Sequence, residues 1–203
     1  MINILLIDDH PMINYGLASC LEQTGCFIVC GQAQSLAQAR RIVEDLEMLP
    51  ALVILDILLG EENGLDFLVF LDNFCKASKM PKPPVLVCSV LEDPFRIRTA
   101  LKMGACGYIS KTGSKAELLN SIDTALGGNI YISNEHIEIL EDSSSLHSRF
   151  TNRETEILNL VKQNKNNREI AGLLKINLRT VENHISNIYF KTGAENRLDL
   201  LKL

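Results

Sequence analysis

The first 110 residues contain short apolar runs at 3–7, 27–33, 52–55, 85–89 and 107–110. In most of these runs Val, Ile and Leu follow one another without a polar residue at every second position. A strand with one face in water alternates apolar and polar residues, whereas a strand covered on both faces does not. The pattern therefore predicts strands of a parallel sheet with helices on both sides.

A segment of helical length follows each run, at 12–24, 36–47, 64–77, 94–103 and 115–127. In the last segment, Ala116, Leu119, Ile122 and Leu126 have the spacing of one apolar helix face. Strand–helix units in succession predict an α/β fold with a doubly wound five-stranded parallel sheet. We assign this domain to residues 1–128.

The pattern changes after residue 128. The polar stretch Glu141-Asp142-Ser143-Ser144-Ser145 indicates a linker, which we place at 129–148 with a possible short helix at 135–140. Residues 149–203 show no strand pattern and predict a small all-α domain. Thr151 and Glu154 have the spacing of a capping box, and further helices are predicted at 168–174, 179–192 and 195–201. Two short helices around a tight turn at 175–177 indicate a helix-turn-helix.

The composition is that of an ordinary globular protein, with 46% hydrophobic and 22% charged residues among 203. No apolar stretch approaches the roughly 20 residues of a membrane helix, and the N-terminus lacks the pattern of a signal peptide, so we expect a cytoplasmic protein without membrane contact. Residues 1–148 carry 10 basic and 19 acidic side chains, whereas residues 149–203 carry 10 and 6. This asymmetry indicates two units with different partners. The six cysteines form no CxxC pair, which favours reduced, buried thiols over a disulfide or a metal site.

Polar side chains stand at the ends of the predicted strands: Asp8 and Asp9 after the first, Asp56 after the third, Ser89 after the fourth and Lys111 after the fifth. The carboxyl ends of parallel strands meet at one edge of the sheet, where ligands bind. Carboxylates this close repel one another unless a cation neutralises them, and oxygen ligands suit Mg²⁺. With Lys111 to pair with an added anion, the set would serve a phosphoryl group on a carboxylate. The alternative, that the aspartates only cap a helix and begin a loop, gives no reason for Ser89 and Lys111.

Several segments resemble a known family. LLIDDHP, VILDILLGEENGLDFL, VLVCSVLED and GACGYISKT are similar to the receiver domain of two-component response regulators. FTNRETEIL, NREIAGLL and INLRTVENHISNIYFKTGAENR are similar to the LuxR-type helix-turn-helix of the NarL/FixJ group. Together they cover almost the whole chain. The resemblance implies a flavodoxin-like receiver domain followed by a DNA-binding domain, in a transcriptional regulator controlled by phosphorylation.

The resemblance also implies the roles of the strand-end residues. Asp56 would accept a phosphoryl group from the phosphohistidine of a sensor histidine kinase. Mg²⁺ would be held by Asp8, Asp9, Asp56 and the carbonyl of Leu58.

Three further residues would act on the phosphoryl group. Lys111 would pair with its oxygens, Ser89 would turn inward to bond one of them, and Tyr108 would be the coupled aromatic switch. Receivers usually place a proline with a cis bond after this lysine, whereas here Thr112 follows it. Many also have a proline after the phosphoacceptor loop, where this chain has Gly60-Glu61-Glu62-Asn63-Gly64. Neither departure removes a chemical group.

The predicted helix 179–192 would enter the major groove of DNA. Its apolar face, which we expect to pack inward, consists of Val181, Ile185, Ile188 and Tyr189. The outward residues that could read bases are Glu182, Asn183 and Ser186. The candidates for phosphate contacts are Arg168, Lys175, Arg179 and Lys191. Thr180, His184 and Asn187 are also assigned to the DNA surface, although packing is an equal alternative for His184.

The net charge of the last 55 residues, plus 4, is modest for DNA binding, so we expect a homodimer that forms on phosphorylation and doubles the basic surface. One alternative is a DNA-binding regulator that works without phosphorylation and whose receiver is a dimerisation module. A second is a phosphatase with the same aspartate chemistry. A phosphatase needs a general acid near its nucleophile, and Leu58 stands where an aspartate would supply it, so we expect no enzyme.

Overall fold

The structure, a computed structural model, describes residues 1–90, 93–142, 150–192, 194 and 196–201. They form two compact units, Met1–Glu141 and Asp142–Leu203. Three predicted features lie outside the described residues: the serines 143–145 of the linker, the domain boundary at 149 and the start of the last helix at 195.

The first unit is an α/β domain in which helices alternate with the strands of one sheet. In chain order its elements are β1 (Ile2–Ile7), α1 (Pro11–Glu22), β2 (Phe27–Ala33), α2 (Leu36–Asp45), β3 (Leu52–Leu55), β4 (Leu58–Leu59), β5 (Glu62–Asn63), α3 (Leu65–Ser78), β6 (Val85–Ser89), α4 (Pro94–Lys102), β7 (Gly107–Ser110), α5 (Lys115–Leu126), β8 (Tyr131–Ile132) and α6 (Asn134–Asp142). The sheet has the order β2-β1-β3-β6-β7-β8 with all pairs parallel, and β4 and β5 form a separate antiparallel pair.

The five predicted strands are confirmed, and the sheet has a sixth that was not predicted. β8 has only two residues, which pair with Gly107 and Tyr108 of β7. Together with α6 it occupies the first part of the segment predicted as a linker, 129–148. The core explains the continuous apolar runs, because every residue of β3, β6 and β7 is buried. One apolar cluster lies on each face of the sheet.

Side-chain caps start several of the helices. Ser35, Asp93 and Ser114 each accept a hydrogen bond from a backbone N–H in the first turn of the helix that follows. The predicted face of α5 is confirmed for Leu119, Ile122 and Leu126, which pack on the core, whereas Ala116 is exposed; Leu118, Ser121 and Ala125 are also buried.

The second unit contains α7 (Asn152–Lys162), α8 (Asn167–Leu174), α9 (Leu178–Thr192) and α10 (Arg197–Leu201). The predicted capping box is present: Thr151 Oγ1 accepts from Glu154 N, and Glu154 Oε2 accepts from Thr151 N. The helices enclose their own apolar core, which includes Ile157, Ile170 and Ile188. Residues 175–177 form the turn between α8 and α9, where Lys175 has a left-handed φ of 52°. The helix-turn-helix prediction is therefore consistent with the observed geometry.

Candidate functional site

The strand-end carboxylates meet where the strand order reverses, at the carboxyl ends of β1 and β3. Asp8 follows β1 and Asp56 follows β3, and both are nearly fully buried. The backbone ties the two strand ends together, because Asp56 N donates to the carbonyl of Ile7 at 2.8 Å. Asn14, in the first turns of α1, donates from Nδ2 to the carbonyl of Asp8 at 2.8 Å. The predicted cluster is thus built by neighbouring strands and fixed by α1.

Lys111 bridges two of the carboxylates. Its Nζ lies 2.6 Å from Asp8 Oδ2 and 2.7 Å from Asp56 Oδ2, and its side chain is 7% exposed. Burial acts to lower the pKa of Lys111, but the hydrogen bonds and charges of Asp56 and Asp8 outweigh burial and raise it. The ammonium is therefore held in its charged form between two buried carboxylates.

The other oxygen of Asp56 faces two donors. Ser89 Oγ donates to Asp56 Oδ1 at 2.8 Å, and the backbone N–H of Leu58 donates to the same oxygen at 3.1 Å. Ser89 is fully buried. Gly64 also packs on this segment, since a Cβ at Gly64 would lie 2.1 Å from the carbonyl oxygen of Asp56. Both oxygens of Asp56 therefore have defined partners from three different elements.

Asp9 lies at the open side of the cluster, where its side chain is 25% exposed. Its Oδ2 accepts from the backbone N–H of Gly60 at 3.0 Å. Its buried Oδ1 accepts no hydrogen bond from the described residues, although His10 Nδ1 lies 2.8 Å away in an ion-pair contact. Ligand atoms of Asp8, Asp9 and His10 lie within 4.8 Å of one another. Sequence reasoning missed Asn14, Gly60 and His10, although His10 directly follows the paired aspartates.

The donor set fits a divalent cation. Three carboxylates against one ammonium leave the pocket with a formal charge of minus two. An acceptor oxygen of Asp9 is buried and lacks a hydrogen-bond donor within the described part of the chain. Carboxylate oxygens are the ligands of hard cations, which relieve such a charge. The pocket is therefore acidic, oxygen-lined and short of positive charge.

The loop after β7 positions Lys111 without a proline. Lys111 N donates to the carbonyl of Ser89 at 3.1 Å. The residues on either side of the lysine are joined, since Ser110 Oγ and Thr112 Oγ1 lie 2.7 Å apart and Thr112 N donates to Ser110 Oγ at 3.2 Å. No peptide bond is cis in the described ranges. Hydroxyl groups thus fix a turn for which the resembled family usually has a cis proline.

Tyr108 is fully buried on β7, which pairs with the strand that ends at Ser89. Ser89, which acts to lower the pKa of the Tyr108 hydroxyl, bonds Asp56 through its own hydroxyl. Burial raises the pKa of Tyr108, so the hydroxyl remains protonated and able to donate. The two predicted switch residues therefore lie on paired strands, and one of them bonds Asp56.

In the second unit, the exposed side of α9 carries most of the predicted DNA residues. Val181, Ile185 and Ile188 are buried and Tyr189 packs against them, as predicted. The residues exposed on the unit's surface are Arg168, Lys175, Arg179, Glu182, Asn183 and Ser186. Asn187 is half-buried.

Three predicted DNA residues have roles within the unit. The prediction that Lys191 contacts a DNA phosphate is wrong. Its Nζ lies 2.6 Å from Glu154 Oε2, and both side chains are 3% exposed, so the ammonium forms a buried ion pair within the protein. Thr180 donates from both N and Oγ1 to Asn177 Oδ1, which caps α9. His184 is half-buried, and burial lowers its pKa, which favours the neutral ring.

Comparison with protein families matches both units. Residues 4–123 match the response regulator receiver domain, and residues 148–203 match the bacterial regulatory proteins of the luxR family. The first match alone spans more than half of the chain. The chain is a response regulator. The second match makes this response regulator a DNA-binding one of the NarL/FixJ group, controlled by phosphorylation of its receiver domain.

Curated relatives resemble the response regulator over nearly its full length. The transcriptional regulatory protein MctR of Rhizobium johnstonii is 32% identical over 99% of this chain and 92% of its own. The transcriptional regulatory protein LiaR of Bacillus subtilis is 29% identical over 97% of this chain and 93% of its own.

Solved structures show the same fold. The response regulator ChrA of a heme-sensing two-component system is 27% identical, covers 99% of this chain and 94% of its own, and has a TM-score of 0.54. RcsB of Salmonella enterica serovar Typhimurium bound to a promoter is 21% identical over 99% of this chain and 96% of its own, with a TM-score of 0.64. Within the described ranges, no helix of the response regulator has the length and apolar character needed to span a membrane.

Proposed function

We propose that Asp56 is the phosphoacceptor of this response regulator and receives its phosphoryl group from the phosphohistidine of a sensor histidine kinase. The observation that carries the proposal is the position of Asp56, a buried carboxylate whose two oxygens meet an ammonium and a hydroxyl group. A carboxylate oxygen of Asp56 attacks phosphorus, the bond from phosphorus to the imidazole nitrogen breaks, and the nitrogen leaves with the bonding electrons.

The surrounding residues suit the charge that this transfer creates. The ammonium of Lys111 lies 2.7 Å from Asp56 and would pair with phosphoryl oxygens. The hydroxyl of Ser89 would donate to another. Asp8, Asp9, Asp56 and the carbonyl of Leu58 would hold Mg²⁺, which when bound neutralises the excess negative charge of the pocket. Because Leu58 supplies no carboxyl group beside the nucleophile, we do not propose turnover of outside substrates.

Labelling with a small phosphodonor tests the assignment. Acetyl phosphate with Mg²⁺ should give an acid-labile mass increase, because acyl phosphates hydrolyse readily. Asp56→Asn should abolish the increase, and Asp66→Asn, which changes an exposed carboxylate at the start of α3, should retain it. Full labelling of the Asp56 variant would show that another residue is the acceptor.

We propose that the exposed face of α9 reads DNA, as the match to the luxR family and the DNA-bound RcsB structure suggest. Asn183 is exposed on this face and can pair with adenine through two hydrogen bonds. Lys175 and Arg179 would contact phosphates, which makes affinity fall steeply with salt. Asn183→Ala should relax sequence preference in a selection from random DNA, whereas Asn159→Ala, exposed on α7, should not. Unchanged preference in the Asn183 variant would remove this residue from base reading.

The phosphorylated form would act as a homodimer in the cytoplasm, where chromosomal DNA is present. Gel filtration and DNA binding, each with and without phosphodonor, distinguish this scheme from a regulator that works without phosphorylation. Phosphorylation should increase both the dimer fraction and the affinity for DNA. Equal dimerisation and affinity in wild type and Asp56→Asn under both conditions would favour a receiver that is only a dimerisation module.

A further inference from the structure

Helix α6 lies against the switch tyrosine. His136, on its first turn, is fully buried, and its ring meets the ring of Tyr108 edge-on, with centroids 4.9 Å apart and an angle of 79° between the planes. This contact was not predicted, because the segment was assigned to a linker. It places an aromatic side chain from the end of the receiver unit directly on a residue that contacts Ser89.

Further bonds hold the start of α6 on β7. Ser133, which precedes the helix, is buried, and its Oγ lies 2.5 Å from His136 Nδ1. Ser133 N donates to the carbonyl of Tyr108 at 3.3 Å. The backbone and the ring of Tyr108 therefore both contact the segment that begins α6.

The end of α6 is also fixed. Arg98 of α4 donates from Nη2 to the carbonyl of Leu140 at 2.8 Å, and Leu140 packs on the same apolar cluster that contains Tyr108. The last carbonyls of a helix have no partner within it, and here an arginine from another helix donates to one of them. The helix thus rests on α4 and β7, the two elements that follow Ser89 in the chain.

We propose that His136 reads the position of Tyr108, so that α6 carries the phosphorylation state of Asp56 toward the chain leading to the DNA-binding unit. The proposal rests on the proposed role of Asp56. Asp56 accepts from Ser89, the strands that carry Ser89 and Tyr108 are paired, and the ring of Tyr108 meets that of His136. A phosphoryl oxygen on Asp56 that holds the Ser89 hydroxyl more firmly than the carboxylate does would fix the Tyr108 ring in its inward position, where it gives His136 its packing surface. When the ring leaves this position, the start of α6 loses that surface.

The size of the effect follows from the ring contact. Edge-to-face aromatic pairs shift an equilibrium by about two- to tenfold beyond the area that they bury. Because coupling between two sites is reciprocal, His136 must alter the affinity of the Asp56 site by the same factor by which that site alters α6 docking. A residue coupled to Asp56 therefore changes the affinity of that site, whereas a residue that only stabilises α6 does not.

The test uses the full chain with beryllofluoride and Mg²⁺, a phosphoryl mimic whose binding is followed by ¹⁹F NMR. Hydrogen exchange of α6 is measured by mass spectrometry with and without the mimic. In the wild type, the mimic should slow exchange of α6 about two- to tenfold. His136→Ala should remove this response and weaken beryllofluoride binding by a similar factor. Ile137→Ala, a truncation at a more exposed position of the same helix, should retain both.

Two more variants separate the ring from the fold. His136→Phe keeps an aromatic edge and should retain the response. Tyr108→Phe keeps the ring but removes the hydroxyl, so α6 should no longer respond, and adding His136→Ala should not weaken beryllofluoride binding further. If His136→Ala speeds exchange equally with and without beryllofluoride at unchanged affinity, the residue is only structural and the proposal is wrong. If wild type binds no beryllofluoride, or Asp56→Asn binds it equally, the proposed role of Asp56 fails first.

Discussion

Replacing Lys111 with methionine tests how the pocket tolerates its charges. Methionine keeps much of the aliphatic stem and removes the ammonium that lies 2.6 Å from Asp8 and 2.7 Å from Asp56. The two carboxylates are 4% and 2% exposed, so they would face each other in a poorly hydrated site. Removing one partner of a buried ion pair costs about 3–5 kcal/mol. We expect about 3 kcal/mol, the low end of that range, because the pocket is open to water at Asp9.

The assay is urea unfolding followed by circular dichroism in a chelator, with the two units fitted as separate transitions. Lys102→Met, which changes an exposed lysine at the end of α4, should stay within about 0.5 kcal/mol of wild type. Added Mg²⁺ should restore part of the loss in the Lys111 variant, because a divalent cation replaces the missing positive charge.

The loss of stability on replacing Lys111 should depend on the charge of Asp56. In an Asp56→Asn background, the same substitution of Lys111 removes the ammonium from beside one buried carboxylate instead of two, so the loss should fall to about 2 kcal/mol, the order of a single hydrogen bond to a charged group. An equal loss in both backgrounds would refute the charge argument, as would a loss below 1 kcal/mol in the wild-type background.

The pH dependence has a defined sign. The pKa of Lys111 is raised in the folded state, so its contribution to stability is complete below the unfolded pKa of about 10.4 and is lost as the pH rises through the folded value. The difference in unfolding free energy between wild type and Lys111→Met should therefore stay roughly constant from neutral pH to about 10 and shrink above it.

Three other predictions concern separate features. Thr112→Val removes the hydroxyl that joins Ser110, so labelling by acetyl phosphate should slow severalfold, while Thr112→Ser should keep the wild-type rate. Lys191→Met leaves Glu154 buried without its cation and should destabilise the DNA-binding unit by about 3 kcal/mol in urea unfolding, and a loss within 0.5 kcal/mol would contradict this. Burial raises the pKa of the Cys88 thiol to about 12, so iodoacetamide at pH 8 should modify exposed Cys26 first and leave Cys88 unmodified until the protein unfolds.

The strand-end cluster was predictable from the apolar runs and the polar residues that end them. Continuous apolar runs indicated strands covered on both faces, and the parallel arrangement then required Asp8, Asp56 and Lys111 to meet at one edge. The partners of these groups were not predictable in the same way. The side chain of Asn14 donates to the carbonyl of Asp8, and the backbone N–H of Gly60 donates to Asp9. Both contacts depend on how a side chain or a loop is placed, which the spacing of apolar residues does not predict.

Two other differences had signals in the sequence. Lys191 lies three residues after Ile188, which places it on the buried face of α9, and the glutamate of the capping box supplies the opposite charge that a buried lysine needs. Ile130-Tyr131-Ile132 is a run of strand-favouring residues before a serine cap, which indicates a short strand and a following helix. The cysteines are all free, but only Cys75 and Cys88 are buried, because apolar neighbours in sequence do not fix the depth of a side chain.

The order of the strands explains why the proposed coupling from Asp56 reaches α6, at one edge of the sheet. Asp56 follows β3, Ser89 ends β6 and Tyr108 lies in β7, and these strands are successive neighbours in the sheet. A change at Asp56 can therefore act on β6, then on β7 and then on the edge strand, because each of these strands pairs with the next. That edge is β8, where the chain passes directly into α6, so His136 meets Tyr108 without any long-range motion. A helix that began on the opposite edge, beside β2, would be separated from Tyr108 by the intervening strands and could not read the same residue.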